Sequence, residues 1–522
     1  MEKNKLVIIP LSIGIIFIIS SWYSSYPLAI DNLSDLMFNH VSVLYWFGLP
    51  LVLVSMYIIA VTFKSNYWKW LAALGIVIAI YSLSYFYYML PGSDSHYFRG
   101  YTEYFVRTKN FDSSQLNHRY FQWPSLFLLS DMLTSVSGLK LASFEFLLYA
   151  IIGFLFATTL YLYASKASKN GGFFAVLAFF VSMFYFLNYQ FAPFSLALGL
   201  LFLIFVLESH QKSVGSEIAM VLLFVGISFA HAFVGLFLVL YLLVRLLLRP
   251  AGHHIRLFLL TSLIYLFVQI TQAQLFFGDS LRSLTAWHTE YSSIAEATLA
   301  GPSTSIDVVV QMLSRTVTIS IITISIAGFV LLLVSRKLSD LSKAILITGA
   351  VYSVLGSAFF VLGSRAIPLA LIPISLGASY LVESKIGSYV KIAFLVLLVL
   401  FVFVPIHTSL SGSQITFQTR EAYTTANFML EKYGWNTYST ILSDVGTKWY
   451  LFPQINGNSV IETDCSSSAS SNLQTYDCVI YSVGLAQSCL RNNVSEQEAL
   501  EQMLNRFNVI YDSGFSFIAK IT

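Results

Sequence analysis

The sequence predicts a polytopic α-helical membrane protein of about 13 transmembrane helices, followed by a small α/β domain. Three observations carry this. Only 11% of the 522 residues are charged, with a mean hydropathy of +0.72, whereas soluble domains carry about 25% charged residues. Apolar runs near twenty residues recur, each able to cross a hydrocarbon core of about 30 Å as a helix. Basic residues fall in alternate connections, as the positive-inside rule requires.

The first apolar run, Leu6 to Trp22, follows Lys3 and Lys5 like a signal peptide. Bulky rings in Ser21-Trp22-Tyr23 replace a small-residue cleavage site, so the run is read as a retained anchor. The candidate spans are 6–23, 41–63, 70–90, 145–164, 172–188, 191–207, 217–231, 233–249, 257–276, 316–334, 344–362, 366–382 and 389–406. The stretch 123–138 is shorter and more polar and is read as an interfacial or membrane-entering helix. With the N-terminus cytoplasmic, the inner connections hold Lys64 and Lys69, Lys166 and Lys169, Lys212, Arg249 and Arg256, Arg336 to Lys343, and Lys385 and Lys391. The short outer connections hold almost no basic residues, Arg365 being the notable exception. The expected protein is therefore a multi-pass protein of the cell membrane. A transmembrane domain over 1–407 carries outer loops at 91–122 and 277–315, and 408–522 forms an extracytoplasmic α/β domain.

The tail differs in composition. Arg420 to Tyr433 reads as an amphipathic helix, and Ser439–Asp444, Cys478–Ser482, Asn508–Tyr511 and Phe515–Ala519 as strands. Ser495 to Glu498 makes a capping box that opens a helix to Phe507. Cys465, Cys478 and Cys489 are the only cysteines, and an oxidising side would let one pair close. Asn32-Leu-Ser34 and Asn493-Val-Ser495 match glycosylation sequons, a pattern common by chance.

The first outer loop holds the most telling residues. Asp94 stands in Gly92-Ser-Asp-Ser-His96, where an apolar run meets a polar loop. His96–Thr108 reads as an amphipathic helix. Tyr97, Tyr101, Tyr104 and Phe105 line one side, and Arg99, Glu103 and Arg107 the other. Such a helix suits the headgroup level, with Glu103 and Arg107 in the favourable i, i+4 order. Asp94 also suits an N-cap. Asn117 to Pro124 then returns the chain to the membrane.

An apolar span, Gly-x-Asp-Ser-His, an amphipathic helix and an aromatic-Pro-apolar re-entry together resemble the first extracytoplasmic loop of the GT-C superfamily of membrane glycosyltransferases. The likeness is greatest to prokaryotic members with an α/β tail, and covers the hydropathy of 70–406 and loosely the tail. It implies transfer of a sugar from a polyprenyl-phosphate-linked donor to an extracytoplasmic glycan, lipid or protein acceptor, with Asp94 as the family's acidic residue. Two spans precede the module here. Neither outer loop, 91–122 or 277–315, holds an Asp-x-Asp or Glu-x-Asp motif and the chain has no Trp-Trp-Asp, which argues against an oligosaccharyltransferase and against dependence on a divalent metal.

That chemistry needs a carboxylate to take the acceptor's proton and groups that hold the departing phosphate. His231, Arg365 and Arg315 stand at outer span ends and are the phosphate candidates; His96, His118 and Arg119 are further substrate-binding candidates within the loop. Arg365 also suits snorkelling to headgroups, His231 a hydrogen-bonded helix end, and the loop histidines a solvated interface. Asp279, His288, Glu290 and Asp307 belong to a second outer loop that could cover the site. No metal-ligand spacing, phosphate-cradling glycine loop or basic nucleic-acid surface is present, so no cofactor and no nucleic-acid partner is expected. Alternative readings are a polysaccharide polymerase or ligase, a lipid-linked glycan transporter, and a non-catalytic partner of a glycan assembly machine.

Overall fold

A computed structural model describes residues 2–25, 41–86, 93–109, 120–167, 171–186, 191–210, 213–273, 305–335, 340–358 and 360–402. In the tail it describes 423, 425–426, 428–429, 441–443, 450–451, 460–462, 478–481, 507–512 and 517–521. The helices among them are α1 (Glu2–Ser25), α2 (Val43–Thr62), α3 (Asn66–Tyr81), α4 (Ser93–Thr108) and α5 (Ser125–Ser137). Then come α6 (Leu141–Ala167), α7 (Gly172–Phe186), α8 (Pro193–His210), α9 (Val214–Ala230) and α10 (Ala232–Leu248). The series ends with α11 (Gly252–Thr271), α12 (Ser305–Val334), α13 (Asp340–Ala358), α14 (Phe360–Val382) and α15 (Gly387–Phe401).

Each apolar segment read from the sequence is occupied by a helix, α1 to α3 and α6 to α15. Five stretches are long and apolar enough to cross a membrane: Val7–Ser25, Val43–Thr62, Leu141–Ser165, Gly252–Thr271 and Thr316–Val334. Shorter apolar helices, among them α8, α9 and α10, complete the bundle. The third segment differs from expectation. Its α-helix stops at Tyr81 and tightens into a 3-10 turn over Ser82–Phe86, where the Ser82 hydroxyl bonds the Ala79 carbonyl.

α7 is the centre of the bundle. Every residue from Phe173 to Met183 is buried, the mark of a helix enclosed on all sides. The outermost faces are apolar and exposed, such as Ile8, Ile16 and Ile19 on α1 and Leu259, Leu263 and Phe267 on α11. Against lipid tails apolar surface gains nothing by association, so helices hold together by close packing of small residues. Gly14 meets Gly48 where α1 crosses α2, and Gly328 meets Gly377 where α12 crosses α14; a Cβ on Gly328 would stand 2.0 Å from the Gly377 carbonyl oxygen.

Two polar layers mark the ends of the bundle, and α6 measures their separation. Glu145 in its first turns bonds Arg99 of α4, while Tyr163 near its other end bonds Ser342 of α13. At about 1.5 Å per residue these levels lie roughly 27 Å apart, close to the thickness of a bilayer core. The Tyr163 layer includes Glu208 of α8, which accepts hydrogen bonds from Tyr241 and Arg245 of α10. His254 of α11 has its Nε2 3.9 Å from Glu208. The basic turns follow this layer. Asn66, between Lys64 and Lys69, accepts from Tyr161, and Gly171, just after Lys169, accepts from Ser379.

In the tail, β1 (Ile441–Ser443), β2 (Val460–Glu462), β3 (Cys478–Tyr481), β4 (Phe507–Asp512) and β5 (Phe517–Ile521) form one sheet in the order β2-β1-β3-β5-β4. β1 runs parallel to β2 and β3, and β5 antiparallel to β3 and β4. β2 was not anticipated from the sequence. Tyr423, Thr425, Ala426, Phe428 and Met429 have helical backbone within the expected amphipathic segment. The capping box at Ser495, both sequons, Cys465 and Cys489 lie outside the described residues.

Candidate active site

α4 and α5 form a unit at the Glu145 end. α4 begins at Ser93, three residues before the expected start, so Asp94 and His96 both stand in its first turn. Lys109, at a left-handed φ of 54°, ends the helix. Its N–H bonds the Phe105 carbonyl, and its ammonium pairs with Asp131 of α5 at 2.5 Å. Phe98 and Tyr101 pack against Tyr120 and Phe127 with ring centroids 4.8 to 6.4 Å apart. Edge and stacked ring pairs of this kind add about 0.5–1.5 kcal/mol each beyond area burial. Asp94 lies on α4 one turn before Phe98, the first ring of this aromatic wall.

The other side of α4 departs from expectation. Arg99 does not face headgroups; it is fully buried, as are His96 and Thr102. Its Nε and Nη2 each donate to one oxygen of Glu145 at 2.6 Å, and its Nη1 lies 3.1 Å from His96 Nδ1. Burial works to lower the Arg99 pKa, but the Glu145 carboxylate together with Tyr423 and Glu103 outweighs it and the net shift is upward. The guanidinium therefore stays charged. Glu103, one turn further, accepts hydrogen bonds from the phenols of Tyr423 and Tyr450 in the tail. Burial raises the Glu103 pKa, and the two phenols, Arg99 and Arg107 offset part of that rise. An amphipathic pattern here encodes a helix enclosed between α5, α6 and the tail. Its charges are matched to partners far away in sequence.

His231 lies at the same end. It ends α9 and opens α10 with extended backbone at φ −161° and ψ 119°, and its ring sits between Phe194 and Phe233 at 5.1 and 5.6 Å. Trp123 clusters with Ala232 and Ala273, with Tyr120 packed against them. Tyr120 also touches Tyr97, so an aromatic chain links α4 to the His231 junction. Tyr352 of α13 donates to the Phe233 carbonyl. A Cβ on Gly349 would lie 3.5 Å from Ala370 Cα, and this antiparallel register sets Arg365 about 3 Å, roughly half a turn, beyond the level of Tyr352. Arg365 thus stands inside α14, at the end of the bundle that carries α4 and His231. Arg315 stands directly before the apolar stretch Thr316–Val334, as expected, but within a helix rather than in a loop. That helix, α12, starts at Ser305, so the last part of the expected second outer loop, Asp307 included, is helical. His118, Arg119, Asp279, His288 and Glu290 lie outside the described residues.

An apolar groove of about 360 Å³ runs between α3 and α6, lined by Leu74, Ile78, Tyr85 and Ile151 among others. Ile78, Ile151 and Phe154 are 64%, 45% and 48% exposed, so the groove opens sideways out of the bundle. At its Tyr85 end, that ring packs on Phe146 and Tyr149, and Ser84 bonds the Tyr149 hydroxyl. Tyr149 is one helical turn from Glu145. The groove therefore ends beside the pair that fixes α4. Among the described residues no cluster of His, Cys, Asp and Glu could hold a metal ion.

Glu145, Tyr423 and Tyr450 were missed as site residues from the sequence, although a signal existed for one of them. Glu145 is a lone acid at the head of an apolar run, and an ionisable residue inside such a run points to a specific partner. The tyrosines carried no such mark. Comparison of the chain with models of known protein families finds none that matches, and no curated protein matches it.

Proposed function

We propose that the protein is a membrane glycosyltransferase of the GT-C type. It moves a sugar from a polyprenyl-phosphate carrier to an acceptor on the extracytoplasmic side, with Asp94 as the general base. On this reading α4 faces outward, the Glu208 layer lies at the cytoplasmic surface, and the thirteen apolar helices all cross the bilayer. The tail sheet is then an extracytoplasmic domain. The observation that carries the proposal is the meeting of the sideways-opening groove with the α4 unit at Glu145. An isoprenoid chain needs an apolar slot reached from lipid, and its phosphate needs polar groups where that slot ends. Arg365 and His231, at the same end, are the candidates to hold that phosphate.

The distribution of charge supports interfacial chemistry over solute passage. Transport paths place ionisable groups near the bilayer midplane. Here Arg99, Glu145 and Glu103 gather at one end and Glu208 and Arg245 at the other, while the middle of α7 is apolar. The test is purified protein in lipid nanodiscs, incubated with a panel of polyprenyl-phosphate sugars. Transfer is expected with at least one donor, and its loss in Asp94→Asn with unchanged folding. No turnover with any donor, or full turnover in the Asn variant, overturns the assignment.

A further inference from the structure

Glu145, Arg99 and His96 make a linear relay whose chemistry fixes a proton. A guanidinium has N–H donors and no acceptor. The 3.1 Å contact between Arg99 Nη1 and His96 Nδ1 therefore requires Nδ1 to accept. Both Glu145 oxygens are taken by Arg99 at 2.6 Å, so the guanidinium cannot turn away from the ring. Arg99, Glu145 and His96 are each fully buried.

We infer that the Glu145–Arg99 pair is a tautomer lock that holds His96 neutral with its proton on Nε2. His96 then serves the first turn of α4 as a hydrogen-bond donor, neither a cation nor a general base. Protonating Nδ1 would set two donors against each other and bury a second cation beside Arg99. The charged and titratable groups described around the relay are Arg99, Glu103 and Arg107 on α4, Glu145 on α6, and Tyr423 and Tyr450 from the tail. The acids among them do not relieve this, because Glu145 is saturated by Arg99 and Glu103 is engaged by the two phenols. Arg99 and Glu145 are positioning residues. The place of His96 in a reaction rests on the proposed transferase, and there it leaves Asp94 as the base of that turn.

The lock is tested without turnover. The full-length chain, with its nine histidines labelled with ¹⁵N in the rings, is placed in nanodiscs, and the His96 signals are identified by their loss in His96→Gln. The expected spectrum has a bare Nδ1 and a protonated Nε2, unchanged from pH 7.5 to 5. Arg99→Met is expected to let the same ring titrate in the ordinary histidine range. Glu145→Gln, which keeps the guanidinium, is expected to retain the bare Nδ1 but lower the pH range over which it survives. A proton on Nδ1 in the native chain, or ordinary titration there, overturns the lock. Absence of sugar transfer would defeat the proposed function and leave this result standing.

Discussion

Glu103 of α4 accepts a hydrogen bond from Tyr450, 347 residues further along the chain, and a second from Tyr423. One carboxylate thus ties the tail to the helix that carries Asp94. A hydrogen bond to a charged group contributes about 1.5–3 kcal/mol. Tyr423→Phe and Tyr450→Phe are each expected to loosen the tail by about that much, read as faster tail proteolysis and faster amide exchange in α4. Equal protection in the double variant would show that the contact is incidental.

The same carboxylate predicts a pH dependence. Its folded-state pKa is raised, burial being the largest cause, so the folded chain binds the proton more tightly than the unfolded one. Stability then falls as pH rises from the ordinary carboxylate range through the raised folded value. Glu103→Gln removes this slope. In the double Phe variant the slope extends to higher pH, because both phenols favour the ionised form. Thermal midpoints measured across pH 4 to 8 in one detergent check both signs; an unchanged slope in the Gln variant rejects the assignment.

Arg99 and Glu145 are expected to behave as a buried pair. Removing one partner strands a charge and costs about 3–5 kcal/mol, whereas replacing both with apolar residues of similar volume is nearly neutral. Arg99→Met and Glu145→Leu singly should lower the unfolding midpoint sharply, and the double variant should recover most of the loss. A double variant as unstable as the sum of the singles would mean that the two side chains act independently.

The fold was legible where physics is local. Runs of apolar residues near twenty long have one solution in lipid, because the backbone must bond within its own segment, and a helix stands at every expected place. The strands around Leu442, Val479 and Ala519 were marked by alternation and β-branched residues. The failures are non-local. The pattern of α4 reveals its two faces but not what covers them, since a charged stripe reads the same against water as against Glu145 or Tyr450. The end of the second outer loop was misread because hydropathy falls before a helix ends, and α12 continues past Arg315 back to Ser305. His96 was legible as a candidate, yet its proton depends on Arg99, whose own partner is 46 residues away.

The glycine crossing of α12 and α14 makes a sharp prediction of its own. A Cβ on Gly377 would stand 1.9 Å from the Ser325 carbonyl oxygen and 2.4 Å from the Phe329 nitrogen, both backbone atoms that cannot yield without moving the helix. Gly377→Ala is expected to separate the helices and to cost about 1–3 kcal/mol or more as overpacking. Gly199→Ala meets only Phe156 Cε1 at 3.5 Å, an ordinary contact, and should be neutral or slightly stabilising, since Ala is the better helix former. Thermal midpoints of the two variants in one detergent separate these outcomes.

The groove between α3 and α6 has the size of a ligand slot. Its volume of about 360 Å³ falls within the range of small-molecule sites, roughly 300–1,000 Å³. Ala150 lines it, one residue beyond Tyr149 on α6. Ala150→Phe adds a ring to the slot without touching Arg99, Glu145 or the aromatic wall of α4. If the slot holds the carrier's isoprenoid chain, this change raises KM for a long-chain donor about tenfold, equivalent to about 1.4 kcal/mol. It leaves kcat, and the KM for a donor with a single isoprene unit, nearly unaltered. Equal effects on the two donors would place the chain elsewhere on the bundle surface.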